Sequence, residues 1–485
     1  MLEKVSFLVS NQSYTRLKEL FTDLFSYQLL GFIEIIYIDD SVDRNAWDIA
    51  CKYASDFPGR MTISKNPYPL GASINEKNLL RMARTRLFAL STDYLDISLR
   101  NFFEEFEEFI KSGYNERFRV LLRHPRFLSR RSQAHSPFYT PSIHNPLVCI
   151  TVHNYNYGRF LRECLDSAVN QTYKNIRILF SDNASTDESW AIANQFAERY
   201  PRLFTLTRNR VNFGSHENIK NCEFHLAGQL YLQLCSDDML ALTCVEECVA
   251  VYRKHPDVGM IMFHRDIVDA NGTVSDEFPF FNCSFKASPG AMSDIYLMSS
   301  INPSISQIMY NLESVNLSIS RTLIDRWYSN RFRDFILASK NSVAYLNRAL
   351  MRHRIHGAND NLDASANLLE IIGPYVANLE FERIAEEFGI DLKNKAIWRE
   401  KLGLLSLRYS YRHLLKGETE ISSSYLHLSS AISSSVKNTK TYITLSKALF
   451  GSSVVSDEAL LELRQSLDLY KRAVSYNPPE DALIL

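Results

Sequence analysis

No stretch of this 485-residue chain reaches the roughly 18 consecutive apolar residues of a membrane-spanning helix. The opening residues MLEKVSFLVSNQSYTR lack the charged head and long apolar run of a secretory signal. The expected location is therefore cytoplasmic, with the inner face of a membrane as the other candidate. An excess of charge of one sign is lacking too. Lys and Arg number 54 against 55 Asp and Glu, so no global field favours nucleic acid or an anionic lipid surface, and any phosphate binding has to be local. Cysteine is scarce, with eight residues and no C-x-x-C pair, and several sit in apolar runs such as LVCITV and LQLCS. Buried thiols are expected rather than disulfides or zinc, and Cys244 and Cys248, one helical turn apart, have no further ligand at a zinc-site spacing. Also missing is a Gly- and Lys/Arg-rich loop over Val152–Arg159, which argues against a nucleotidyltransferase that would grip a triphosphate there.

What is present is ordinary globular composition, 46% hydrophobic and 22% charged, over a length that accommodates two to four domains. The chain also repeats itself. Shifted by 143 residues, Val5–Asn78 lies on Val148–Asn221 without a gap and with 21 identities in 74 positions. Chance at ordinary composition gives about 6 per cent, or roughly four or five. The identities include Asn11/Asn154, Tyr14/Tyr157, Arg16/Arg159, Asp39/Asp182, Trp47/Trp190, Asn66/Asn209 and Gly71/Gly214.

Each copy opens with a short apolar run, VSFLV or LVCITV, followed by a polar turn and an amphipathic helix (Tyr14–Tyr27, Gly158–Asn170). A second apolar run ends in acidic and small residues, IEIIYIDDS and IRILFSDNASTD, and leads into the helices of Trp47 and Trp190. Strand-like RMTIS and LFTLT come next, and YLQLCSDDML closes the second copy. Short runs rich in Ile, Val and Phe between helices predict buried parallel strands, hence α/β architecture with two doubly wound domains. The polar turns then converge on the carboxyl edge of each sheet, where such folds bind ligands. Ser129–Pro146 reads as a linker, and the long helical periods beyond about Asn361 predict an α-helical C-terminal domain. The expected division is residues 1–128, the linker 129–146, 147–360, and 361–485. Homo-oligomer or peripheral membrane contacts through the first or last of these are candidate partner interactions.

The second copy carries Tyr155-Asn156-Tyr157-Gly158-x-Phe160-Leu161, Ser167 with Asn170-Gln171-Thr172-Tyr173, and Ser181-Asp182-Asn183-Ala184-Ser185-Thr186-Asp187. Asn209 with Asn212-Phe213-Gly214 and Ser236-Asp237-Asp238 continue the series. In this order and spacing, over roughly Pro146–His356, these pieces resemble the family 2 inverting glycosyltransferases of GT-A fold. The chemistry agrees with the resemblance. A nucleotide-sugar donor presents a diphosphate, and carboxylates at its site make sense if they hold a divalent cation against the phosphates, with oxygen ligands suiting Mn2+ or Mg2+. The resemblance implies Asp238 as metal ligand and Asp237 facing the donor ribose or sugar. Asp182 and Asn183 can hydrogen-bond a nucleobase edge, and Tyr155, beside Asn156, offers a ring face for stacking. A core position for Tyr155 and a helix N-cap for Asp182 are the competing readings. The loop from Asn209 to Gly214 is expected close to the donor or as a plain turn.

The family also places a general base in an acidic-aromatic segment ahead of a strand and an Arg-x-His ending. Phe332-Arg333-Asp334-Phe335-Ile336-Leu337, then Val343–Leu346, then Arg352-His353-Arg354-Ile355-His356-Gly357 follow that layout. The resemblance thus implies Asp334 as base, with Arg333 where relatives carry an acid, and Asp325 and Glu313 in reserve. His356 is implied as a second metal ligand or as a loop cap. In the first copy Gln12-Ser13 replaces Tyr155-Asn156, and Ser91-Thr92-Asp93-Tyr94 offers a single acid near the place of Asp237-Asp238. That copy is expected to be a truncated, inactive GT-A-like domain. The implied function is metal-dependent transfer of a sugar, from a UDP-sugar, to a hydroxyl of a glycan in a surface polysaccharide or glycoconjugate. A non-catalytic scaffold and a two-headed polysaccharide polymerase are the rivals.

Overall fold

The computed structural model describes residues 5–10, 18, 21, 33–39, 44–57, 59–66, 87–91, 142–297, 303–315, 329–356, 367–451, 463 and 476–485. Most of helix Tyr14–Tyr27, most of the linker, Asp93, Asp325 and most of the last predicted helix lie outside them. The chain forms two compact units, Met1–Glu246 and Glu247–Leu485.

Among the described residues, eight strands form the main sheet of the first unit. They are β1 (Val5–Ser10), β2 (Ile33–Asp39), β3 (Met61–Lys65), β4 (Leu87–Ser91), β5 (Val148–Asn154), β6 (Ile176–Asp182), β7 (Phe204–Arg208) and β8 (Leu230–Cys235). Their order across the sheet is β4-β1-β2-β3-β7-β6-β5-β8. Within each half of that order every pairing is parallel, and only the central β3–β7 pair is antiparallel. β6 is buried along its whole length and β5 at six of seven positions, as parallel strands covered on both faces require. The helices are α1 (Arg44–Asp56), α2 (Gly158–Val169), α3 (Ser189–Arg199) and α4 (Ser215–Phe224). α2 buries Phe160, Leu161, Cys164, Leu165, Ala168 and Val169, an apolar stripe at helical spacing worth roughly 1.5–3 kcal/mol for each large side chain.

The 143-residue offset holds in space. Val5 pairs with Leu87 as Val148 pairs with Leu230, and Ile35 pairs with Met61 as Ile178 pairs with Phe204. At the centre, Ile63, Ser64 and Lys65 face Arg208, Thr207 and Leu206, so that Ser64 meets its own counterpart, Thr207. Contacts recur on both sides of this local two-fold. Asn66 N donates to Asp39 O at 2.9 Å and Asn209 N to Asp182 O at 2.8 Å. Lys65 pairs with Asp39 at 3.7 Å and Arg208 with Asp182 at 3.5 Å. Lys65 lies 5.4 Å from the Trp47 ring centre and Arg208 5.3 Å from that of Trp190, while the two indoles stand 6.3 Å apart. The shared register corrects one sequence equivalence. Carried on in sequence at the same 143-residue offset, Asp93 aligns with Ser236, and Tyr94 and Leu95 with Asp237 and Asp238. The first copy therefore has no carboxylate at either position of the acidic pair.

Short β9 (Met239–Leu240) precedes α5 (Cys244–Lys254), within which the boundary between the units falls. In the second unit β10 (Val258–Asp269) pairs in parallel with β14 (Ser342–Ile355) and antiparallel with β11 (Val274–Ser275) and β13 (Ile308–Asn311). β12 (Phe285–Ala287) joins β14 to β15 (Leu483–Ile484), a chain-end strand that the helical pattern of the tail did not signal. α6 (Ser293–Leu297) and α7 (Ser329–Lys340) lead to α8 (Leu369–Phe388), α9 (Trp398–Leu415), α10 (Thr419–Ile432) and α11 (Lys440–Phe450), a helical part as expected. Phe335 of α7 stacks on Phe381 of α8 at 4.1 Å, and Trp398 is buried beside Tyr375. No disulfide joins any of the eight cysteines. Among the described residues no helix is long and apolar enough to cross a membrane.

Candidate functional site

In the second half of the first sheet the order β7-β6-β5-β8 reverses direction between β5 and β8, so their carboxyl ends open a crevice at a topological switch point. Tyr155 and Asn156 follow β5 on one side of it, and Ser236-Asp237-Asp238 follow β8 on the other. Tyr155 is 42% exposed, which fits a stacking face and excludes the core reading. Asn156 has φ 57°, a left-handed conformation that Asn tolerates better than most residues. It is held there by its own N–H to Ser185 Oγ at 2.9 Å and by its Oδ1, which accepts from Thr186 N at 2.8 Å. Ala184 sits at φ 61°, where a Cβ costs about 1–2 kcal/mol. Two strained residues thus flank the strand ends, as functional loops often show.

Asp182 ends β6 completely buried. Its Oδ1 accepts from Asn154 Nδ2 at 3.0 Å and Ser185 Oγ at 2.5 Å, and its Oδ2 from Ser185 N at 3.0 Å. Burial pushes its carboxyl pKa up, against the pull of those donors and Arg208. Asn183 is equally engaged. Its Nδ2 donates to Asn212 Oδ1 at 2.7 Å and Gly214 O at 3.1 Å, while its Oδ1 accepts from Asn209 Nδ2 at 2.9 Å and Phe213 N at 3.0 Å. These two residues organise the loops around the crevice. Asn209 extends the network to Asn218 Oδ1 at 3.1 Å and accepts from Asn221 Nδ2 at 2.8 Å. Asn218 Nδ2 in turn reaches the carbonyls of Asn154 and Ser181, tying the ends of β5 and β6 together. Gly214, at φ 85°, turns the loop into α4, a conformation that a side chain would strain.

After β8 the chain turns tightly, with Asp238 N donating to Cys235 O at 3.1 Å and Ser236 Oγ to His153 O at 2.8 Å. The turn gathers Cys235, Asp237 and Asp238 so that one ligand atom of each lies within 4.8 Å of the others. Asp238 is completely buried. Two carboxylates this close, at a crevice mouth, form the oxygen donor set that a hard divalent cation takes, and Cys235 adds a softer sulfur. Behind them, burial lowers the pKa of His153 to about 4, and Gln233 Nε2 lies 3.3 Å from its Nδ1.

Asp334 and His356 belong to the second unit. Asp334 lies on α7, 2% exposed, accepting from Tyr310 Oη at 2.8 Å beside Arg333 at 3.6 Å. Burial raises its pKa and Arg333 opposes that rise. His356 follows β14 and is half-buried. Arg354 is buried and donates to Asp269 O at 3.1 Å, and Glu313 is exposed in the turn after β13. Sequence reading missed the structural parts of Ser185, Asn218 and Asn221. The signal for the two asparagines was present, since both are identical in the other copy as Asn75 and Asn78.

The crevice and its motifs coincide with a segment that known proteins share. Residues 147–300 match the family described as "Glycosyl transferase family 2". EpsE of Bacillus subtilis (strain 168) is 31% identical over 133 residues, 27% of this chain and 45% of that protein. Chondroitin synthase of Escherichia coli is 28% identical over 131 residues, 27% of this chain and 18% of that protein. The chain thus spans less than half the length of these curated relatives. Among solved structures, S. aureus TarS 1-349 in complex with UDP-GlcNAc is 15% identical with a TM-score of 0.40, covering 68% of this chain and 93% of that one. That likeness is too low to carry an argument.

Proposed function

We propose that the chain is a metal-dependent, inverting glycosyltransferase that moves a sugar from a nucleotide donor, a UDP-sugar, to a hydroxyl of a glycan acceptor in surface polysaccharide or glycoconjugate synthesis. The observation that carries this reading is the Asp237-Asp238 pair at the switch point of the sheet, across from exposed Tyr155, inside the family 2 segment. The pair supplies carboxylate oxygens for Mn2+ or Mg2+, and a cation there neutralises charge on the leaving nucleotide diphosphate. Asp238 is the metal ligand in this reading, with His356 as a candidate second one, and Asp237 faces the donor.

The base stacks on Tyr155. Its polar edge meets the loop that Asp182 and Asn183 hold, and Asn156 and the Asn209–Gly214 loop line the donor side. For an inverting reaction the base that takes the acceptor proton is Asp334, whose raised pKa suits proton uptake. Its burial favours Glu313, exposed after β13, as the alternative. Residues 1–128 are in this reading a truncated GT-A-like duplicate without activity, because Tyr94 and Leu95 stand where Asp237 and Asp238 do the work. That loss also argues against a two-headed polymerase. The division into residues 1–128, 129–146, 147–360 and 361–485 is part of the same proposal.

The test is a panel of nucleotide sugars, with and without Mn2+, read by calorimetric binding and nucleotide release. Metal-dependent binding and release from one nucleotide class is expected. Absence of binding to every donor would turn the reading to a non-catalytic scaffold.

A further inference from the structure

The β3–β7 seam is symmetric at its centre and asymmetric at one end. Past Thr207, Arg210 sends Nη1 to the carbonyl of Gly59 at 2.7 Å, and the same guanidinium lies 5.1 Å from the ring centre of Phe213. Gly59 has φ 83°, and a Cβ placed on it would stand 3.1 Å from Val211 Cγ1. The first copy therefore touches the segment 210–213 through a hydrogen bond, at a glycine where an added methyl would press on Val211. By sequence, the hydrogen bond cannot have a mirror. The 143-residue offset puts Pro67 at the place of Arg210 and Arg202 at that of Gly59, and proline has no side-chain donor.

From the other side the same loop is pinned by Asn183, which takes Phe213 N and reaches Gly214 O. Arg210 thus links a carbonyl of the first copy to a loop that Asn183, just past β6, and Asn218 and Asn221 of α4 also anchor.

We infer that the first copy serves as a built-in subunit that holds the Asn209–Gly214 loop of the second copy in place, with Arg210 as the positioning residue. The retained fold of the first copy then has a use that requires no ligand of its own. A hydrogen bond from a charged donor is among the stronger kinds, enough to bias a six-residue loop between two states. The inference rests on the proposed donor site only for its consequence, which is that a loosened loop weakens nucleotide-sugar binding.

The experiment is hydrogen exchange on the full chain, comparing wild type with Arg210→Met and Arg210→Lys. Arg210→Met keeps the aliphatic stem and removes the donor. The expected result is about tenfold or faster exchange at the amides of Phe213 and Gly214, unchanged exchange along β5 and β6, and near-complete rescue by Arg210→Lys. Gly59→Ala, made from the first copy's side, is expected to loosen the same two amides, because the added methyl presses on Val211. Unchanged exchange at Phe213 and Gly214 in both Arg210→Met and Gly59→Ala would overturn the inference. So would an increase spread equally over β6, which would mean general destabilisation. Calorimetry with UDP and Mn2+ separates the two proposals. A faster loop with wild-type binding absent counts against the donor site alone, whereas a faster loop with several-fold weaker UDP binding supports both.

Discussion

The two halves of the first sheet share a register to the residue and differ at the strand ends, and the difference separates framework from chemistry. What the copies keep is what holds loops. Asp39 and Asp182 each pair with the basic residue that ends the next strand, Lys65 or Arg208, and Asn66 and Asn209 each bond back to that acid's carbonyl. Asn154, Asn218 and Asn221, all identical in the first copy by sequence, knit β5, β6 and α4 together. What the copies do not keep is what faces the crevice, since Tyr155, Asn156, Asp237 and Asp238 become Gln12, Ser13, Tyr94 and Leu95. Identity between duplicates therefore marks buried hydrogen-bond networks, which are costly to leave half-made, more than it marks catalysis.

The largest expected effect breaks this comparison at the acidic pair. Asp238→Asn keeps size and one acceptor oxygen, turns the other into an NH2 donor and halves the charge of the Asp237-Asp238 pair. Metal-dependent donor turnover is expected to fall by about 10²-fold or more with the thermal midpoint retained. Asp93→Asn, on the half without the pair, is expected to leave turnover unchanged. Parallel rate assays of the two variants decide the matter: an Asp238→Asn enzyme at full rate removes the metal assignment, and a slow Asp93→Asn enzyme restores chemistry to the first copy.

Much of this was legible in the sequence because parallel-strand runs are short, apolar and bounded by polar turns. β2 and β6, and β3 and β7, fall where IEIIYID, IRILFSD, MTIS and FTLT predict them. Asp237 and Asp238 are neighbours by sequence, whereas the exposed ring of Tyr155 decides between two readings that the sequence left open. The antiparallel seam was not legible. Nothing in the sequence says that β3 and β7 pair, because each is an edge strand within its own copy, and edge pairing is decided by backbone groups rather than side-chain pattern. The inward turn of Asp182 and Asn183 was equally hidden. A carboxylate and an amide at a strand end read the same whether they face a ligand or their own loop. Cys235 escaped notice as a neighbour of the pair because the turn that brings it there is set by one backbone hydrogen bond.

The seam offers a second way to sharpen the comparison. Trp47 is 6% exposed and donates Nε1 to Asn194 Oδ1 at 3.4 Å, across the two-fold from partly exposed Trp190. Trp47→Ala is expected to cost about 3 kcal/mol of unfolding free energy, and Trp190→Ala less. The rings touch, so the double variant should lose less than the sum of the two, by about 0.5–1.5 kcal/mol. Denaturant unfolding of the three proteins measures this. Strict additivity would mean that the indole pair is a coincidence of packing and contributes no coupling across the local two-fold.

The smallest effect concerns the residue behind the acidic turn, where the halves again differ, His153 in one and Ser10 in the other. Burial depresses the imidazole pKa to about 4, so the folded protein holds this ring neutral where the unfolded chain would protonate it. A depressed folded pKa gives stability that is present above the ordinary histidine value near 6.5 and is lost as pH falls toward about 4, because the unfolded state binds the extra proton. Asp182 and Asp334, with raised pKa values, act with the opposite sign at the lower end of that range. The informative quantity is thus the difference between wild type and His153→Ser, the residue of the first half placed in the second. That variant is expected to be modestly less stable at pH 7.5, since a ring is removed, and the gap should shrink steadily on acidification through pH 6.5 to 4. Thermal midpoints across the pH series check it. A gap that stays constant would show that the ring is solvated enough to titrate as it does in the unfolded chain, and that the second half holds no pH-sensitive group that the first half lost.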